Sequence, residues 1–460
     1  MNLKNKKITV IGLGKSGFAA AKFLKGQGAR VRVTEGAETK AVLESADFLT
    51  SLDIPVETGR HTAGFMRGSD LIVTSPGVSK KSSPLQFAMK RKLPVISEIE
   101  LASYFCPGLI VAVTGSNGKT TAIRLIDRAL REARRKSVLC GNVGASFLDA
   151  LPSIDKKSVV VVELSSFQLE DSPTFRPRIA VVLNISPNHL DRHGSMEKYI
   201  MAKEKIFANQ QASDFLILNF DDPLVRAMAK KVRSKVVFFS KHRIAEGFFV
   251  EDGKVVNKKG KSEKTVLDCS RAKLKGSHNL ENILAALAVA SILKVPRDKI
   301  QNTVYSFETL EHRIEHAGTV GGVHFINDSK STTVESAKAA ILSVDAPMVL
   351  IAGGRNKGTT FESLEPLLEK KVKCVVLYGE ARAQIAGAWK TYKRVHPVKD
   401  FCDAVRLAYR LSDPGDSILL SPMCASFDQF SCFEERGTVF KQISASLGRS
   451  SKQDPAVGIS

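Results

Sequence analysis

Three times along the chain an apolar run of strand type ends in a turn of glycine, serine or charge and passes into a stretch of helical periodicity. That alternation admits few architectures, because strands separated by helices pair in parallel and a parallel sheet is covered on both faces. The first block opens at Ile8–Ile11, turns through Gly12-Leu13-Gly14-Lys15-Ser16-Gly17, runs as a helix to Gly26 and resumes at Val31–Val33, ending in Thr34-Glu35. Another strand, Asp70–Val73, runs into Ser75-Pro76-Gly77. The second block opens at Leu109–Val113, turns through Thr114–Thr121 and continues as a helix with Ile123, Ile126 and Leu130 on one face. Buried strands follow at Ser158–Val162, Ile179–Leu183 and Phe215–Leu218; Asp252-Gly253 marks a hairpin and Leu280–Leu293 a helix. The third block begins near Glu311-His312-Arg313, with strands at Val323–Ile326, Met348–Ile351, Cys374–Leu377 and Ser417–Leu420. His312 and His316 are expected on a helix there. The chain has 460 residues; at roughly 150 per domain, three α/β domains are expected. Their boundaries are 1–97, 98–309 and 310–460: Rossmann-like, phosphate-loop and Rossmann-like, with mostly parallel sheets.

Composition closes off several classes. No apolar stretch approaches the roughly 18 residues of a membrane span, and the short run after Lys7 is too brief for a secretory leader. Seven cysteines, an odd number without a Cys-x-x-Cys pair, argue against a disulfide framework or zinc knuckle and fit a cytoplasmic protein. The net charge is +21, and residues 224–275 hold 15 Lys/Arg against 5 Asp/Glu. No aromatic-interleaved basic motif accompanies this stretch, so it reads as a solvated basic face and no nucleic-acid partner is expected.

The turns carry the chemistry. In Gly115-Ser116-Asn117-Gly118-Lys119-Thr120-Thr121, backbone N–H groups at a helix start would cradle phosphate, Lys119 would neutralise it and Thr120 would offer oxygen to magnesium. Val113 stands where the strict Walker pattern has its first glycine, so this is a shortened variant. Gly12–Gly17 with Glu35, 21 residues beyond Gly14, is a dinucleotide-type turn, compatible with nicotinamide, another nucleotide or no ligand. Glu163 ends a buried strand where a carboxylate faces the ligand crevice. His189 and His193 lack the glutamate of a zinc-protease motif. Lys203, read bare, is a solvated helix lysine, and Arg313 is a candidate phosphate contact. Three turns after strands, Asn327–Thr332, Gly353–Gly358 and Ser421–Asp428, form a polar crevice lip whose cations suit an anionic substrate. An ATP loop beside a second nucleotide site and a cationic crevice fits ATP-dependent ligation better than hydrolysis. The rivals are a nicotinamide dehydrogenase with an added ATP domain and a nucleic-acid-dependent ATPase.

Thr114–Thr121, Glu163–Leu169, Asn188–Gly194, His312-Arg313 and Ser421–Gly437 together resemble the Mur ligases, amino-acid-adding enzymes of peptidoglycan synthesis, over nearly the whole chain. The C-terminal segment resembles the member that adds D-glutamate to UDP-N-acetylmuramoyl-L-alanine through an acyl phosphate; a Mur-type ligase for another amino acid is the alternative. The resemblance implies a UDP-binding, an ATPase and an amino-acid-binding domain. It places Gly14, Ser16, Glu35, Gly77, Asn142 and Ser165 at the UDP-linked substrate. ATP falls to the loop Gly115–Thr121 with Asn279, Asn282, Arg313 and Asp328. Thr332, Lys357, Ser426 and Phe433 approach D-glutamate, with Lys330 close by. Two magnesium sites are implied, drawing on Thr120, Glu163, His189 and Lys203, the last as a carbamate. Lys119, Glu163, His189, Lys203 and Lys330 are the implied catalytic set. A monomer is expected.

Overall fold

A computed structural model describes residues 1–274, 276–308, 311–344 and 347–450. The expected boundary at 309/310 and the last residue of the basic stretch, 275, lie outside the described residues. The chain forms two compact units, one of Met1–Ile185, Ser195–Ala272 and Glu281–Ser306, the other of Ser186–Gly194, Lys273–Leu280 and Phe307 onward.

The first unit holds two sheets. The smaller is parallel throughout, in the order Val56–Glu57, Arg30–Thr34, Lys7–Ile11, Leu71–Thr74, Val95–Ser97. Ile8, Val10 and Ile11 are buried, and the helix Lys15–Gly26 lays Ala19, Ala20 and Leu24 into the core. Strand order reverses on either side of Lys7–Ile11, which opens a crevice at its C-terminal end, where Gly12 begins the turn. The helix reaches that turn so closely that a Cβ on Gly17 would lie 1.8 Å from the Gly12 carbonyl oxygen.

The larger sheet runs Ser262–Asp268, Lys254–Lys259, Gly247–Glu251, Lys235–Ser240, Phe215–Asn219, Ile179–Val182, Leu109–Thr114, Val159–Glu163, Ser137–Gly141. The helix Lys119–Glu132 buries Ile123, Ile126 and Leu130, as its periodicity predicts. Parallel pairing extends from Ser137–Gly141 to Gly247–Glu251 and the outer two strands pair antiparallel, so the sheet is mostly parallel, with the hairpin expected at Asp252-Gly253. The turn dictates this: Asp252 (φ 48°) and Gly253 (φ 70°) are both left-handed, as a two-residue hairpin requires. The basic stretch lies on this edge, and much of its charge is paired. Arg243 meets Glu251 and Glu263, and Lys231 meets Glu204 at 2.6 Å. Lysines along an edge strand also discourage another chain from adding to it.

The second unit holds one sheet, in the order Glu315–Val320, Val323–Asn327, Ser417–Met423, Met348–Gly353, Val372–Tyr378, Val395–Pro397. All pairs are parallel except the first. Ala337, Ile341 and Leu364 cover one face and Phe401, Val405 and Phe440 the other. The helix expected for His312 and His316 is absent. His316 lies on the strand Glu315–Val320, and His312 is a turn residue with φ 62°. Gly321 and Gly322, both left-handed, close a hairpin that fixes 315–320 as a strand.

Candidate functional site

The loop after Leu109–Thr114 is built largely by neighbours from other strands. Ser116 N–H donates to the Asn184 carbonyl at 2.9 Å and Asn117 N–H to Asn184 Oδ1 at 2.8 Å, while Asn184 Nδ2 returns to the Asn117 carbonyl at 3.2 Å. These two N–H groups therefore latch the loop, which leads into the start of the helix Lys119–Glu132, where backbone N–H groups can meet phosphate. Gly118 caps that helix with φ 83°, and a Cβ there would sit 2.3 Å from Asn282 Oδ1. Both the backbone angle and the close approach demand glycine. Asn282 thereby lies against the loop.

Two lysines converge on one carbonyl oxygen. Lys119 Nζ donates to Gly115 O at 2.8 Å and Ser116 O at 3.0 Å; Lys203 Nζ donates to the same Gly115 O at 2.9 Å. Lys203 is 1% exposed, on the helix Met196–Glu204, with its amine 4.8 Å from the centre of the Tyr199 ring. This overturns its bare reading as a solvated lysine. Burial, reinforced by the Lys119 charge, pushes its pKa well below the ordinary lysine range despite Glu163 nearby. Glu163, also buried, accepts Thr120 Oγ1 at 2.9 Å on one oxygen and Asn142 Nδ2 at 2.9 Å on the other. Ser165 caps the helix Ser166–Glu170, with Gln168 closing the reciprocal bond. Thr120 and Glu163 are hard oxygen donors of the kind magnesium prefers; an ammonium at Lys203 is not, and a carbamate would be. Among the described residues no three His, Cys, Asp or Glu side chains cluster as a metal site.

In the N-terminal turn, Glu35 accepts Leu13 N–H at 2.7 Å and Ala37 N–H at 2.9 Å, so its carboxylate pins the turn. Ser16 Oγ donates to Glu98 Oε1 at 3.1 Å. Gly14 caps the helix Lys15–Gly26 without a side-chain bond, and Gly77 is exposed in the turn after Leu71–Thr74. Lys15 donates to the Gly144 carbonyl, which settles it as a tether between the two sheets' turns.

The second unit gathers its own set. Lys357 Nζ donates to Thr332 Oγ1 at 3.2 Å, uniting two of the three strand-end turns. Lys330 Nζ lies 3.6 Å above the centre of the Phe433 ring. Asp328 accepts Ser421 Oγ at 3.0 Å; burial pushes its pKa up to about 7 against the pull of Ser421 and Arg313. Ser426 is buried in the third turn. His189, with φ 56°, precedes the short helix Leu190–His193. That segment packs on the Lys357 turn: Asp191 N is 3.2 Å from where a Cβ on Gly358 would stand. Asn279 is buried near the start of the helix Ser277–Ile292.

Sequence reasoning quoted Arg436 without giving it a task. It is fully buried and its donors reach Ser329 Oγ (2.9 Å), Ser329 O (2.7 Å), Tyr378 OH (3.2 Å) and Cys424 O (3.3 Å). Ser329 Oγ in turn donates to Phe433 O at 2.8 Å. One guanidinium thus clamps the turns that carry Lys330, Ser426 and Phe433. Arg436→Met should leave several buried acceptors unmet and cost about 3 kcal/mol or more of stability. Denaturant unfolding checks this; an unchanged midpoint would mean the clamp carries no weight.

Family models match the chain in three places: the MurD-like N-terminal domain of Mur ligases over 6–97, the Mur ligase middle domain over 113–290 and the Mur ligase glutamate ligase domain over 312–424. A UDP-N-acetylmuramoylalanine--D-glutamate ligase of Koribacter versatilis is 41% identical over 454 residues, covering 98% of this chain and 100% of that one. A protein of the same name from Geobacter sp. is 43% identical, covering 96% and 98%. Among solved structures, the UDP-N-acetylmuramate-alanine ligase MurC of Thermotoga maritima aligns with TM-score 0.58 and 19% identity, over 96% of this chain and 99% of that one. MurF ligase of the same organism, in complex with ADP, aligns with TM-score 0.59 and 19% identity over 96% of each. These two show the shared fold.

Proposed function

The chain belongs to the Mur ligases, and from that premise we infer that it joins D-glutamate to UDP-N-acetylmuramoyl-L-alanine at the expense of ATP, in peptidoglycan precursor synthesis. The observation that carries this is the pair of lysines on the Gly115 carbonyl beside Thr120 and Glu163, a cationic loop at a helix start that awaits phosphate. The full-length relatives and the glutamate ligase domain supply the amino acid.

The substrate carboxylate attacks the γ-phosphorus of ATP, ADP leaves, and an acyl phosphate forms. The D-glutamate amine then attacks the carbonyl carbon, loses its proton, and phosphate departs with one former carboxylate oxygen. Lys119 and the N–H groups of the helix Lys119–Glu132 hold the transferring phosphate. Thr120, Glu163, a carbamylated Lys203 and His189 are the proposed magnesium ligands, two ions in all; bound magnesium neutralises charge that develops on the phosphoryl oxygens. Asn282, Asn279, Arg313 and Asp328 are assigned to ATP. Gly14, Ser16, Glu35, Gly77, Asn142 and Ser165 are assigned to the UDP-linked substrate. Lys357, Thr332, Ser426 and Phe433 take D-glutamate, with Lys330 beside them. The enzyme acts as a cytoplasmic monomer in this reading; among the described residues no helix is long and apolar enough to cross a membrane.

The carboxylate route is tested with substrate labelled in both carboxylate oxygens by oxygen-18. One label should appear in the released phosphate; unlabelled phosphate would exclude an acyl phosphate. Lys357→Ala should raise the KM for D-glutamate at least tenfold and leave that for ATP within about twofold, because a carboxylate loses a charge-assisted hydrogen bond. Steady-state kinetics reads the split, and a shift confined to ATP would reassign Lys357.

A further inference from the structure

Between the N-terminal turn and the strand that ends at Glu163 lies a carboxyl group that no step above uses. Glu98 opens the helix Glu98–Phe105, directly after the strand Val95–Ser97, and is 2% exposed. Its Oε1 accepts both Ser16 Oγ, at 3.1 Å, and Gln168 Nε2, at 3.0 Å. Its Oε2 is buried with no hydrogen-bond partner. Burial raises its pKa, and the bonds from Gln168, Ser16 and the backbone at Glu98 and Ile99 oppose this. Both side-chain bonds thus fall on one oxygen of a buried carboxyl group.

The two partners of Glu98 belong to opposite ends of the proposed substrate site. Ser16 is the second residue of the helix that follows Gly14, and its hydroxyl proton is spent on Glu98. Its side chain therefore keeps only acceptor capacity, so phosphate at this turn is met by backbone N–H groups. Gln168 Oε1 accepts Ser165 N–H at 3.0 Å and Ser165 Oγ at 3.1 Å, two residues beyond Glu163. A continuous chain of side-chain hydrogen bonds, Ser16–Glu98–Gln168–Ser165, thus connects the two ends. The backbone beside it is fastened to the same segment: Ser97 N–H donates to Asp171 O at 2.7 Å, and Thr174 N–H donates to Glu100 Oε1 at 3.0 Å.

We propose that Glu98 is a positioning residue that, through Ser16 and Gln168, sets the spacing between the N-terminal phosphate turn and the Ser165–Glu163 end, and so governs binding of the UDP-linked acyl substrate. This rests on the assignment of the N-terminal turn and Ser165 to that substrate. Glu98→Gln keeps the size and the acceptor oxygen. Its KM for UDP-N-acetylmuramoyl-L-alanine should stay within about twofold of the parent. Glu98→Ala should raise that KM about tenfold, the scale of one lost hydrogen bond, with the KM for ATP held within about twofold. Ser16→Ala should shift it in the same direction, and the double variant should be no worse than Glu98→Ala alone, since both act on one chain of bonds. Calorimetric titration with UDP-N-acetylmuramoyl-L-alanine gives the same comparison without turnover. An unchanged KM and affinity in Glu98→Ala would overturn the proposal. So would a Glu98→Gln enzyme as impaired as Glu98→Ala, or equal shifts for all three substrates. If the parent enzyme binds no UDP-linked substrate and releases no ADP with D-glutamate, the functional reading itself is at fault; if the parent turns over and only the variant pattern is missing, the error lies with Glu98.

Discussion

Lys119→Ala is expected to abolish turnover, with kcat down by at least about a thousandfold, the scale of removing a principal charge contact from a transferring phosphoryl group. The ammonium lies on the carbonyls of Gly115 and Ser116, over the mouth of the helix Lys119–Glu132, where phosphate would replace those carbonyls as its partner. The loop itself should survive the change, because Asn184 holds it independently of Lys119. Coupled ADP-release kinetics measures the loss, and a thermal midpoint near that of the parent shows that the fold is intact. Undiminished turnover would remove the loop from the chemistry.

Lys203→Ala is the second large effect, with an expected loss in kcat of at least about a hundredfold, as for displaced metal ligands and their supports. The amine is buried, shares Gly115 O with Lys119 and is pushed toward its neutral form by burial and by that neighbouring charge. A neutral amine adds CO2 to give a carbamate and a proton; an ammonium does not react. The carbamate is an anion with two oxygens, and it would convert a repulsive pair of lysines into an attractive one beside Glu163. A small carboxylic acid added to Lys203→Ala should restore part of the activity by supplying those oxygens. Full activity in the alanine variant without additive would return Lys203 to a structural role.

How much of this was legible in the sequence differs from residue to residue. The strands at Leu109–Thr114 and Val159–Glu163 and the helix Lys119–Glu132 announce themselves through local periodicity, since parallel strands buried on both faces are apolar throughout. The Asp252-Gly253 hairpin was legible for the same local reason. Lys203 was not, because its burial is decided by Tyr199 and by a loop 88 residues distant, and no local pattern separates it from a solvated lysine. His312 and His316 misled because a spacing of four suggests a helix, whereas the glycine pair at 321–322 was the stronger signal. Asn184, Glu98 and Arg436 escaped since each works through partners far along the chain. Their one trace in the sequence is chemical: a carboxylate or guanidinium beside apolar residues such as Ile96, Ile99 and Phe440 must find partners or be lost from the core.

The most direct test is a panel of amino acids, including both glutamate enantiomers, offered with UDP-N-acetylmuramoyl-L-alanine, ATP and magnesium, with product identified by mass and ADP release measured alongside. The account predicts stoichiometric ADP and a UDP-linked product one glutamyl residue heavier with D-glutamate alone. A product with a different amino acid, or ADP release without any new UDP-linked species, would contradict it.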